Sequence, residues 1–338
     1  MFRMFALSVA FLATLGLTAP QAVAQSDKPT LTVYTYRAFA GKYGPGARVK
    51  ERFEAACACT LDLVQTDDAG SLLARLKLEG KDTKADVVLG LDTNQTAEAR
   101  AAGLVVPHGL DTAGLDLPVP WTDDSFIPFD WGWFAFVYDS DKLRNPPASF
   151  KAFVEAADGP KIIIQDPRTS TPGLGLMLWV QALYGDKAGD VWARLAPRIV
   201  TVTKGWSEAY GLFLKGEADM VLSYTTSPAY HVGVEKKTNY KAAIFPEGHY
   251  LQVEVAGLVK SSEKPDLARS FLRFVLSEAF QSAMPEGNWM YPAKVPQGGL
   301  PASFAGLDKP QKSLLLAPEV VRDGRRAWTD VWLGALRR

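Results

Sequence analysis

The chain has 338 residues and equal numbers of basic and acidic side chains, 37 of each, so it carries no polybasic footprint of the kind that binds nucleic acid. Two cysteines, Cys57 and Cys59, exclude a disulfide-dense scaffold, whereas 9 Trp, 11 Tyr and 17 Phe exceed what two simple cores require and leave rings to line a cleft. None of the three histidines stands in metal-ligand spacing. The H-E-x-x-H, G-x-S-x-G, dinucleotide-binding and P-loop patterns are missing, which argues against hydrolases, Rossmann enzymes and ATPases.

The N-terminus reads as an export signal over residues 1–24. Arg3 makes a weakly positive start, Phe5 to Leu17 is apolar, and Ala22-Val23-Ala24 offers a small-residue cleavage site. No later apolar run matches it, so the expectation is an exported, soluble protein.

Leu31 to Tyr36 then alternates as a strand, and an amphipathic segment follows the Gly/Pro loop at 41–46. Thr60 to Gln65 alternates again, Ser71 to Glu79 suits a helix stopped by Gly80, and Ala85 to Leu91 suits a strand buried on both faces. This β-α-β-α-β rhythm predicts an open, mainly parallel sheet. Cys57 and Cys59 leave three states open: a tight disulfide, free thiols, or a metal pair.

Phe126 to Tyr138, FIPFDWGWFAFVY, reads as a crossing into a second lobe, with Pro128 and Gly132 allowing changes of direction. The second lobe takes Ile162–Gln165, a helix after Pro172, Thr201–Thr203, a helix around Tyr210, and a strand ending at Tyr224. Tyr250 to Val259 reads as the return crossing. Residues 263–282 suit one helix, and 317–336 suit a helix that covers the first lobe. The expected division is 25–125 for the first part of lobe 1, 126–249 for lobe 2, and 250–338 for the return crossing and the rest of lobe 1.

Candidate site residues gather at strand ends, where open α/β sheets bind ligands. Tyr36 ends the first strand and offers a ring and a hydroxyl. Asp68, in QTDDAG, offers a carboxylate to a ligand cation, with Asp67 as the alternative. Asp92 and Asn94 either line the same opening or cap the next helix. In DPRTSTPGLG, Ser170 and Thr171 present hydroxyls near a helix start, with Arg168 adding charge. Trp206 precedes its helix's buried face and can stack on a planar ring or a cation. Tyr224, Ser227 and Tyr230 follow the next strand, and Trp289 lies in the turn GNWMYP. This inventory suits recognition of an organic cation better than catalysis. A ferric receptor using Tyr36, Tyr224 and Tyr230 as phenolates is the rival.

The ordered motifs LTVYTY, KADVVLGLD, FDWGWFAFVYD, QDPRTSTPGLG, VTKGWSEAYGLFLKGE, LSYTTSPAYH, HYLQVEVA and GNWMYP resemble those of bacterial thiamine-binding periplasmic proteins, the solute receptors of ABC uptake systems. The Cys-Ala-Cys segment resembles that family's paired cysteines. The resemblance implies an α/β, two-lobed type II periplasmic-binding fold with parallel-dominated sheets and paired hinge crossings. It also implies a monomer that captures thiamine or its phosphate esters in the periplasm, uses no cofactor or metal, and delivers the ligand to a membrane ABC permease. Carried onto the matching motifs, Tyr36, Asp68, Ser170, Trp206, Tyr224, Ser227, Tyr230 and Trp289 become the ligand-binding set. Asp68 is then expected to balance the thiazolium, with Trp206, Tyr230 and Trp289 on its rings and Tyr224, Ser227 and Ser170 at the hydroxyethyl or phosphate end.

Overall fold

Short apolar runs separated by amphipathic helices build two parallel sheet cores, described by a computed structural model over residues 28–337; the expected leader lies outside these residues. In the first lobe β1 (Thr30–Tyr36), β2 (Thr60–Thr66) and β3 (Val87–Asp92) lie in the order β2-β1-β3, all parallel, connected through α1 (Gly46–Cys57) and α2 (Ala69–Glu79). β3 is buried along its whole length, as its continuous apolar run requires, and α3 (Thr93–Ala101) follows it. In the second lobe β5 (Ile162–Gln165), β6 (Ile199–Thr203) and β7 (Met220–Tyr224) lie in the order β7-β5-β6, again parallel, with α4 (Thr171–Tyr184), α5 (Ala188–Leu195) and α6 (Trp206–Leu214) between them.

Two long strands join these cores. β4 (Phe126–Asp139) pairs antiparallel with β8 (His249–Val259) through Trp133 and with β7 from Phe134 onward. β8 pairs antiparallel with β3 on its other edge, giving the main order β2-β1-β3-β8-β4-β7-β5-β6. The crossings are thus continuous strands. Pro128 and Gly132 lie inside β4, and the register of β4 on β8 shifts where Glu254 faces Asp130 and Val255 faces Pro128. Proline, having no N–H to donate, is tolerated in a strand at such an irregularity.

Each lobe has its own core. Leu31, Val33, Val87 and Leu89 pack with Phe271 and Leu272 of α7 (Pro265–Val275) in the first. Phe136, Phe153, Ile162, Trp179 and Leu222 meet in the second. The predicted single helix over 263–282 is interrupted: α7 ends at Val275 and a short helix, Glu278–Gln281, follows. Ser277 donates its hydroxyl to the carbonyl of Phe274 at 2.6 Å, a local bond that competes with continuation of the helix.

The terminal helix α8 (Pro318–Leu336) was expected over the first lobe, and it packs on both. It lies against α3, and also against α4 and α5. Val321, Trp332 and Ala335 enter the second lobe's core, and Arg325 donates to Glu98 at 3.0 Å. Cys57 and Cys59 form a disulfide across Ala58, whose left-handed φ of 50° turns the chain from α1 toward β2.

Candidate functional site

A cavity of about 590 Å³ opens between the lobes at the carboxyl ends of β1, β2 and β7. Seven of the eight residues expected from the sequence line it: Tyr36, Asp68, Trp206, Tyr224, Ser227, Tyr230 and Trp289. Ser170 is not in its wall. It stands behind Asp68, donating its hydroxyl to Asp68 Oδ2 at 2.9 Å.

Asp68 caps α2, accepting from its neighbour Ala69 N–H at 2.8 Å. Its other oxygen reaches into the second lobe, to Ser170 and to the backbone N–H of Trp206 at 3.3 Å. The amino-terminal ends of α2, α4 and α6 therefore converge on one carboxylate, where their dipoles favour negative charge. Burial pushes the Asp68 pKa up, and these donors pull against that shift. The geometry thus spends the lone pairs of Asp68 on holding two lobes together. A second link runs beside it, from Ser71 N–H to the carbonyl of Thr169 at 3.3 Å.

The aromatic walls are braced from behind. Trp206 stacks on Tyr210 at 4.9 Å between ring centroids and donates its indole N–H to Ser223 Oγ at 2.7 Å. Ser223 in turn shares a hydrogen bond of 2.7 Å with Ser227, so the predicted polar contact Ser227 helps to fix the wall. Tyr224 donates to Gln252 at 2.8 Å. Tyr230 and Trp289 meet edge to face at 5.4 Å across the cleft. Trp289 holds a left-handed φ of 57°, a backbone state unusual for a bulky residue and found most often where function requires it.

At the inner end of the cavity are groups that the sequence reading did not single out. Tyr36 donates to Glu254 Oε2 at 2.6 Å, and Asn288 donates to Tyr36, to Glu254 and to Asp130 Oδ2. Glu254 and Asp130 face each other in register, and the one Asn288 amide nitrogen that donates to both holds their carboxyl groups side by side. Burial, with the charge of Asp130, raises the Glu254 pKa well above the carboxylate range. Burial also raises that of Asp130, to about 7. The only signal in the sequence was an acid inside an apolar strand run. Asp92 caps α3, with Asn94 N–H donating to it at 2.8 Å, so the capping alternative holds there.

Gly90 fits the ring of Tyr36 against the backbone. Its φ is 109°, and a Cβ there would stand 2.3 Å from the tyrosine ring. Gly90→Ala is expected to cost about 1–3 kcal/mol of stability through strain and overpacking, and to displace Tyr36 from the cavity wall. Thermal denaturation and ligand titration of the variant check both effects.

All three histidines are occupied by structural bonds on both ring nitrogens: His108 with Asp123 and Leu110, His231 with Tyr210 and Glu235, and His249 with Phe245 and Phe134. Among the described residues no group of three or more His, Cys, Asp or Glu side chains is placed to hold a metal. The phenols of Tyr36 and Tyr224 are donors to Glu254 and Gln252, and burial raises their pKa, which opposes a phenolate role toward iron.

Two α/β lobes, two connecting strands and an aromatic cleft between them define a ligand-capture protein with the type II periplasmic-binding fold. The chain belongs to the bacterial extracellular solute-binding proteins, whose family model matches residues 18–282. It is similar to the thiamine-binding periplasmic protein of Escherichia coli K12, with 57% identity over 92% of this chain and 94% of the relative. Its identity to the protein of that description from Brucella suis biovar 1 is 52%, over 98% of both chains. A solved structure, a periplasmic thiamin binding protein, superposes with a TM-score of 0.90 at 56% identity, covering 92% of this chain and 97% of that one. The resemblance drawn from the sequence motifs is borne out.

Proposed function

We propose that this protein captures thiamine in the periplasm by closing two lobes around it and delivers it to a membrane ABC permease, as a monomer and without catalysing a reaction. One observation carries this reading: a cavity walled by aromatic faces from both lobes, with buried carboxyl groups at its inner end, in a chain more than half identical to thiamine-binding relatives. Flat rings suit the pyrimidine and thiazolium, and carboxyl groups suit the permanent positive charge. The ligand class extends to the phosphate esters, for which the cavity wall offers Lys42 and Arg37, the latter paired with Asp67. Trp206, Tyr230 and Trp289 take the rings; Tyr224 and Ser227 take the polar end. Asp68 and Ser170 hold the closed arrangement. The structural employment of every histidine supports a binding role over an enzymatic one.

Titration calorimetry with thiamine, its mono- and diphosphate, choline and Fe³⁺ tests the ligand, and solution scattering tests closure. Tight thiamine binding with a smaller radius of gyration in the bound state is expected. Stoichiometric Fe³⁺ binding without a thiamine response would overturn the reading, and binding with an unchanged radius would remove closure from it.

A further inference from the structure

The acidic groups at the inner end of the cavity have no employment in closing the lobes, and their setting is unusual. Glu254 is 5% exposed and lines the cavity; Asp130 behind it is fully buried, and its Oδ1 has no hydrogen-bond partner. Among the described residues no Lys, Arg or His forms an ion pair with either. Their neighbours are Tyr36 on β1, Asp92 facing Glu254 from β3, Asp68 after β2, Tyr224 on β7, and Asn288. All of these are neutral or acidic. Buried acids without a cationic partner are costly, and such acids lining a cleft are candidates for meeting a charged ligand.

We infer that the Glu254–Asp130 pair is the charge-recognition group of this site, and that a cationic ligand binds to the pair when it holds a single proton, expelling a second proton to solvent when the pair begins with two. The inference rests on the thiamine reading for the identity of the cation. The pair contrasts with Asp68, whose oxygens are taken by Ala69, Ser170 and Trp206.

The balance is simple. With both carboxyl groups protonated the pair is neutral; loss of one proton leaves a single negative charge on the pair, beside the Asn288 amide that donates to both carboxyl groups. A thiazolium against Glu254 stabilises that charge and lowers the pKa of the step, so the proton leaves to buffer as the cation binds. Burial raises the pKa of both acids, that of Asp130 to about 7, so the free pair loses its first proton above the ordinary carboxylate range. The sign follows: affinity rises with pH until the free pair has lost that proton and is flat above it, by about tenfold per pH unit at most on the acid side.

Calorimetry of thiamine binding in buffers of different ionisation enthalpy, at pH 6 and at pH 8.5, reads the proton directly. The expected result is release of nearly one proton at the lower pH and almost none at the higher. The neutral isostere 3-deazathiamine, with carbon in place of the quaternary nitrogen, is expected to bind without release. Asp68→Asn is expected to keep the release at whatever affinity it retains. The double variant Asp130→Asn with Glu254→Gln is expected to lose it, together with the preference for thiamine over the isostere. Release that persists in the folded double variant, or that disappears in Asp68→Asn, overturns the assignment to this pair. No release from the parent protein with tight thiamine binding overturns it while leaving the thiamine reading intact, whereas no thiamine binding at either pH overturns that reading itself.

Discussion

Asp68→Ala is expected to lower thiamine affinity by about 2–3 kcal/mol, or roughly 30- to 150-fold, while leaving each lobe folded. The reason lies in what the carboxylate touches. It accepts from Ala69 in its own lobe and from Ser170 and Trp206 in the other. Hydrogen bonds to a charged group are worth more than neutral ones, and removing the acceptor leaves buried donors unpaired. Ser170 and Trp206 reach Asp68 only when the lobes are together, so the loss falls on the closed state. Calorimetry gives the affinity and solution scattering gives the degree of closure. Asp68→Asn is expected to weaken thiamine and its neutral isostere by the same factor. A loss confined to thiamine would instead make Asp68 the counter-charge that the sequence suggested, and an unchanged affinity in both variants would remove it from the site.

Trp206→Leu is expected to cost about 1–2 kcal/mol in affinity, roughly five- to thirtyfold, from the lost aromatic face alone. Leucine keeps part of the apolar volume but presents no ring to a thiazolium or pyrimidine. It also ends the stack on Tyr210 and the bond to Ser223, which together hold the indole in the cavity wall. Trp206→Phe separates these effects, because it keeps a ring and loses only the N–H donor. The phenylalanine variant is expected to fall between parent and leucine when titrated with thiamine. Equal affinities for all three folded proteins would exclude Trp206 from ligand contact.

Legibility from sequence followed the range of the interaction involved. Strand and helix positions through the first lobe were readable because the pleat and the helical turn impose periods that appear within a few residues. The aromatic candidates were readable because each sits at the end of a strand or beside a Gly/Pro turn, where an α/β chain presents its ligand contacts. The break after Val275 was less visible, since the apolar pattern continues while Ser277 redirects one backbone carbonyl.

The sequence by itself determined two α/β lobes, their crossings and most of the residues that face the cleft, because local periodicity and motif order carry that information. Tertiary structure alone decided what each acidic group does. Asp68 lies in a polar loop and reads as free to meet a ligand, yet packing of three helix ends from two lobes occupies its oxygens. Glu254 lies in the run read as the return crossing, where nothing local marks it as a site residue, yet β3 and β4 pair with both edges of β8 and the whole strand is buried. Tyr36 and Glu254 stand 218 positions apart in the chain and 2.6 Å apart in space. Burial and proximity of that kind set charge and protonation, and they exist only once the sheet has closed.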